Sequence, residues 1–194
     1  MKKTEAILLP LIVVGIFSWF FHFPFSSVIL IISLSATSFY YAATHVRHRN
    51  LGLNLLFSKK EDHSNSGQNM SQMLLGWGLA ALFIGILFKL MFWPNYSSTL
   101  LIGLILMSIG TGATLIKNRN NNDGVFKDST KKAIIIGGFG LLVFLTPINT
   151  LVDFRYRNNP EYAKQFKRVM AEPRNEELRQ ELNLMREKMH NDEN

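Results

Sequence analysis

The chain has 194 residues, 47% of them hydrophobic, and a formal net charge of +7. Its mean hydropathy of +0.10 averages long apolar blocks against strongly polar ones, a pattern that excludes an ordinary soluble globule. Cysteine is absent, which excludes disulfides and thiolate metal sites.

Five stretches of about 18 or more residues carry almost no charge, the length an α-helix needs to cross roughly 30 Å of hydrocarbon. They run from Ala6 to Phe23, Ser26 to Thr44, Met73 to Trp93, Thr99 to Ile116 and Ala133 to Val152. A soluble domain of this length would need a polar face on each helix, and these stretches have none. In a bilayer every peptide group must be hydrogen-bonded within the chain, so the predicted class is all-α, a polytopic helical membrane protein and not a barrel. The first stretch follows Met1-Lys2-Lys3 in the manner of a signal peptide. No small-x-small cleavage site follows it, and it is expected to remain as an uncleaved first span.

The expected organisation is two tandem transmembrane hairpins plus a fifth helix and a helical polar tail. The first hairpin covers 1–44, a polar loop 45–72, the second hairpin 73–116, a second loop 117–132, the fifth helix 133–152 and the tail 153–194. Lys2, Lys3, Arg47, Arg49, Lys59, Lys60, Lys117, Arg119, Lys127, Lys131 and Lys132 gather at the N-terminus and the two loops, whereas the links near His22 to Phe25 and Pro94 to Ser98 carry no Lys or Arg. The positive-inside rule puts the N-terminus and both loops in the cytoplasm. The fifth stretch is expected to cross and leave the tail outside, or else to dip in and return at Gly137, Gly138, Gly140 and Pro147.

A shift of 70 residues lays the second hairpin over the first. It matches Gly15 with Gly85, Pro24 with Pro94, Ser27 with Ser97, Leu30 with Leu100, Ile32 with Ile102 and Ser38 with Ser108. Gly and Pro carry most of the weight, since Leu on Leu is expected by chance in apolar sequence. Such a repeat would place equivalent hairpins side by side around an axis along the membrane normal.

Lys89 is the one charged residue well inside an expected span. Its stem can snorkel to an aromatic belt of Phe88, Phe92, Trp93 and Tyr96, or its ammonium can face the bundle interior as partner to an anion or carboxylate. No Asp or Glu falls within the second to fifth stretches or the apolar part of the first, which argues against a self-contained proton-driven pump. His45 and His48 share a helix face, but Arg47 and Arg49 repel a cation there, so a basic rim touching lipid phosphate is the better reading. Ala81 with Gly85, and Ser108 with Gly112, are small residues at helical spacing that let helices approach closely in lipid. No metal, cofactor or catalytic constellation is expected.

In the tail, Pro160 opens a helix that Pro173 breaks, and Asn175 with Glu176 and Glu177 caps a second. On that second helix Leu178, Leu182, Met185 and Met189 form one stripe, either for docking on a partner or on the membrane surface, or on a merely solvated arm.

Gly76-Trp77-Gly78, Phe88-Lys89, Trp93-Pro94 and Leu101-Ile102-Gly103-Leu104, within residues 74–116, resemble the N-terminal membrane hairpin of the GldL type. That family supplies the inner-membrane motor subunit of gliding motility and type IX secretion in Bacteroidota. The resemblance implies that Lys89 matches the family's intramembrane lysine. Phe92 then stands where the family has a histidine, and the family's membrane glutamate falls near Met107. The expected function is a non-enzymatic subunit or accessory protein of a membrane assembly related to gliding motility or type IX secretion; the alternative is a small-solute or ion transporter using the interface between the repeats. The expected partners are the lipid bilayer and other membrane proteins or further copies of the chain, with no nucleic acid.

Overall fold

The computed structural model describes residues 2–21, 23, 25–47, 63–118 and 124–192. Their regular structure is all helical: α1 (Lys2–Phe20), α2 (Ser26–Arg47), α3 (His63–Leu90), α4 (Tyr96–Asn118), α5 (Gly124–Leu145), α6 (Ile148–Arg155), α7 (Pro160–Ala171) and α8 (Glu176–Asp192). The helices form two units, Met1–Leu145 and Thr146–Asn194. Among the described residues three segments are long and apolar enough to cross a membrane: Ser26–Ala43, Met73–Leu90 and Tyr96–Ile116. The number is four if Lys131–Leu145 and Ile148–Arg155 count as one broken span.

Five spans were expected, the fifth either crossing or dipping in and returning, and the first and fifth are not full-length, uninterrupted spans. The apolar part of α1 is the shorter segment Ile7–Phe20, which at 1.5 Å per residue covers roughly 20 Å. The expected fifth helix over 133–152 is not continuous, since α5 stops at Leu145 and α6 starts at Ile148. Pro147 lies between them; it has no amide hydrogen for the carbonyl of Val143, and its ring clashes with a continuing helix. The unit boundary accordingly falls at Leu145, ahead of the expected tail start at 153.

The expected loops 45–72 and 117–132 are shorter than the hydropathy implies. Helix α3 already includes 63–72, and α5 includes 124–132. Hydropathy marks where side chains change solvent, whereas a helix continues as long as its backbone bonds do. The remaining loop residues 48–62 and 119–123 lie outside the described residues, as do His22, Pro24, His48 and Arg49.

Helix α3 is the hub of the first unit. Of its apolar window 67% is buried, against 39% for that of α2 and 28% for that of α4. Its buried side chains Leu75, Leu79, Leu82, Phe83, Ile86 and Leu90 join Trp19 of α1, Leu30, Leu34 and Tyr41 of α2 and Leu100 and Met107 of α4 in one core. The face toward α2 is held by stacking of Tyr41 on Phe83, centroids 5.7 Å apart, and by Ser38 Oγ, which donates to the Ala80 carbonyl at 3.0 Å. An interhelical hydrogen bond of this kind satisfies a hydroxyl that lipid could not.

Toward α4 the packing is backbone on backbone. A Cβ added at Gly78 would lie 2.4 Å from Met107 N, at Gly85 2.7 Å from Leu100 N, at Gly103 2.6 Å from Leu82 N and at Gly110 2.6 Å from Leu75 N. All four contacts belong to one antiparallel register, in which each helix presents two glycines seven residues apart to the other. Gly85 was expected as a packing residue and Gly110 lies in the small-residue stretch 108–114 of α4; the packing role of Gly78 and Gly103 shows in their heptad spacing only once the two helices are written antiparallel. Ala81 lies beside this seam, its carbonyl carbon 3.0 Å from a Cβ built on Gly103.

The links 21–25 and 91–95 are closed by matching backbone hydrogen bonds. Phe21 donates to Phe17 as Met91 does to Leu87, Phe23 to Ser18 as Trp93 does to Phe88, and Ile29 to Phe25 as Thr99 does to Asn95. Phe25 and Asn95 both take the left-handed conformation, with φ of 63° and 62°. Gly15 also lies against Leu30 as Gly85 does against Leu100, but Ser33 stands opposite where Gly103 would follow, and its Oγ is 2.9 Å from a Cβ built on Gly15.

Gly103→Val is expected to destabilise the first unit by about 1–3 kcal/mol or more, because the added atoms meet the main chain of α3 and cannot be accommodated by a rotamer change. Gly138→Ala, at a position with nothing within 4 Å, is expected to be neutral or stabilising by up to about 1 kcal/mol. Thermal unfolding of the detergent-solubilised protein, followed by circular dichroism, distinguishes the two.

Candidate functional site

Lys89 sits in the last turn of α3 and is 2% exposed. Its Nζ donates to the carbonyl of Val143 at 2.6 Å and to that of Phe144 at 2.9 Å, both in the last turn of α5. It also lies 5.6 Å above the ring of Tyr96 at the start of α4. The sequence explains why those carbonyls need a donor. In a continuing helix Val143 would accept from residue 147, which is proline. A lysine ammonium fits the position because it brings several hydrogens and a positive charge to the negative end of the α5 dipole.

The turn after Lys89 fixes its direction. Trp93 N–H donates to Phe88 O at 2.8 Å and Phe92 N–H to Lys89 O at 3.2 Å, with Phe92 left-handed at φ 56°. This is the paired bonding that ends many helices, and it usually employs glycine at the left-handed position. Phe92 holds that position while its ring lies 6.3 Å from Trp19. Trp93 lies edge-on to Phe88 at 5.3 Å, and Trp19 is 1% exposed. Phe88, Phe92, Trp93 and Tyr96 therefore gather at this end of the α3–α4 pair, and the lysine faces inward between the helices.

Met107, where the resemblance placed a glutamate, is 7% exposed and sits among three helices. Its backbone abuts Gly78, and its Cε and Sδ occupy the space beside Gly137 of α5, 2.0 and 2.9 Å from where a Cβ would lie. Gly140 is likewise occupied by the Leu82 side chain, so α5 rests on the α3–α4 pair through glycines. The other expected small-residue pair turns away: Ser108 is exposed, and nothing lies within 4 Å of a Cβ at Gly112.

The tail unit has its own side-chain cluster. Tyr156, Tyr162 and Phe166 pack ring to ring at 4.7 to 6.1 Å. Arg186 Nη2 donates to Tyr162 Oη at 3.3 Å, and Gln165 Nε2 donates to Glu181 Oε2 at 2.6 Å. Lys167 and Asp153 form an ion pair between α7 and α6. The expected cap is present, Asn175 Oδ1 accepting from Leu178 N–H at 3.4 Å. In the expected docking stripe, Leu182 is buried while Leu178, Met185 and Met189 are half-buried. Leu184, beside the stripe, is 60% exposed.

No family model, curated protein or solved structure matches the chain.

Lys89→Met leaves two carbonyls without their donor in an apolar setting and is expected to cost roughly 2–4 kcal/mol of stability, with Lys89→Arg recovering part of it. The shift in thermal midpoint in detergent measures this. In the tail, burial first and Tyr162 next raise the Tyr156 pKa above its usual 10.0, while Arg155 and Arg186 pull it down. The neutral phenol is thus favoured in the fold, so its stabilising contribution is complete below pH 10 and is lost as pH rises through the raised value. Titration of tyrosinate absorbance with near-ultraviolet circular dichroism should show the tail unfolding only in strong alkali, and Tyr156→Phe should reduce that loss.

Proposed function

We propose that this protein is a non-enzymatic subunit of a multi-protein assembly in the cell inner membrane. The observation that supports this reading best is the outward face of α4. The four glycines of the α3–α4 seam are each occupied by backbone of the same chain. Ser108 and Gly112 make a second small-residue surface on α4 that the described residues leave open, flanked by exposed Ile105 and Ile109. In lipid, a helix gains by close approach where its residues are small, since no hydrophobic force draws helices together.

The two helix pairs, α1 with α2 and α3 with α4, are read as tandem copies of one hairpin. The matching link hydrogen bonds and the equivalent Gly15–Leu30 and Gly85–Leu100 contacts support that reading. The distribution of Lys and Arg supports a cytoplasmic N-terminus. The resemblance over residues 74–116 suggests gliding motility or type IX secretion as the setting. Lys89 then serves to tie α5 to the hairpin, a structural task that accounts for its ammonium without a transported solute.

Purified from its own membranes in mild detergent, the protein should migrate as a complex larger than one chain of 22.2 kDa, with the same co-purifying membrane proteins in repeated preparations. Gly112→Leu should release those proteins while leaving the thermal midpoint nearly unchanged. A wild-type protein that runs as a monomer with no reproducible companion would refute the proposal.

A further inference from the structure

Helices α7 and α8 enclose an open groove of about 410 Å³ between them, lined by Glu161, Lys164, Gln165 and Arg168 from α7 and by Glu181, Leu184, Met185 and Lys188 from α8. The two linings have the same spacing. Each runs from a glutamate, through a central pair three and four residues on, to a cation seven residues on. Among the described residues Glu161, Lys164, Arg168 and Lys188 make no ion pair, so both signs of charge stand uncompensated along one surface. At its centre Leu184 is 60% exposed and Met185 half-buried.

We propose that this groove is a homodimer interface, covered by the α7–α8 hairpin of a second copy of the chain in an antiparallel four-helix arrangement. A twofold axis passing between Leu184 and Met185, and at the same level between Lys164 and Gln165, lays each helix antiparallel on its own mate. Glu161 then meets the second copy's cation at position 168, Glu181 meets the one at 188, and Leu184 covers the second copy's methionine at 185. The level is set by contacts within one hairpin: Gln165 bonds Glu181 and Arg186 bonds Tyr162, so the midpoints of the two linings lie within about 2–5 Å of one level, a span the long Glu, Lys and Arg side chains cover. A single axis therefore serves both helices. An unrelated acidic or basic partner would match only half of these charges, whereas a second copy matches all of the pairs named.

Size gives the same answer. A unit this small, with two main helices of 12 and 17 residues, buries too little apolar surface to be stable as a bare hairpin. Pairing two hairpins into four helices is the usual remedy. The inference goes beyond the membrane-assembly reading and does not depend on it, since one concerns the tail and the other the outward face of α4.

The absence of native cysteine makes the test clean. In membranes carrying the full-length protein, oxidation of Leu184→Cys should give a disulfide-linked dimer, with about tenfold less from Arg179→Cys, an exposed α8 position outside the groove lining. In the Leu184→Cys background, Arg168→Glu alone or Glu161→Arg alone should each lower cross-linking about tenfold, since each places like charges opposite one another twice. Co-expression of the two variants should restore it as a mixed dimer, because opposite charges then face each other at both places. Equal cross-linking at positions 184 and 179, no restoration on mixing, or a cross-link from Leu184→Cys only to a different protein would overturn the proposal. The Gly112→Leu result is unaffected by any of these outcomes.

Discussion

The contact on which the first unit depends is the one between the main chains of α3 and α4. Four glycines in a single antiparallel register remove every Cβ that would hold the two helices apart, with backbone atoms of the opposite helix 2.4 to 2.7 Å from where those carbons would be. At that separation van der Waals attraction along two helices becomes substantial, and in lipid it is one of the few forces available to hold helices together. The first helix pair has the equivalent of only one such contact, at Gly15, and a serine where a glycine would extend it. That difference makes α3 the hub, with α2 and α5 packed on the α3–α4 pair.

The attachment of α5 illustrates how a chain handles a proline in an apolar helix. Pro147 deprives Val143 of its hydrogen-bond donor and ends α5. Lys89 supplies the missing donor from the neighbouring helix, bonding Val143 and Phe144 together. The lysine and the proline are 58 positions apart, yet each makes sense of the other: a buried ammonium needs acceptors, and a broken helix end has them. Gly137 and Gly140 then let Met107 and Leu82 fill the rest of the joint.

The tail follows the rules of an aqueous hairpin. Its aromatic cluster, its buried Gln165 and its Arg186–Tyr162 bond use side chains to join helices too short to do so by apolar area alone. What remains on its surface is a groove with charges of both signs in a repeated order along each helix.

The sequence by itself determined where the chain is apolar, and hence the all-helical class and the positions of α2, of the α3 end and of α4 to within three residues, because the cost of a polar group in hydrocarbon is local and additive along the chain. Local caps were equally legible: Pro160, Pro173 and Asn175 mark α7 and α8 where the structure has them. The polar first turns of α3 and α5 escaped notice because backbone hydrogen bonding continues past the point where side-chain hydropathy changes. Only the tertiary structure decided which glycines face a neighbour, that Lys89 turns inward to the end of α5, and that Leu182 packs within the tail. Each of these depends on which residues the fold brings opposite one another across tens of positions, and hydropathy or helical spacing along one strand of sequence carries no such information.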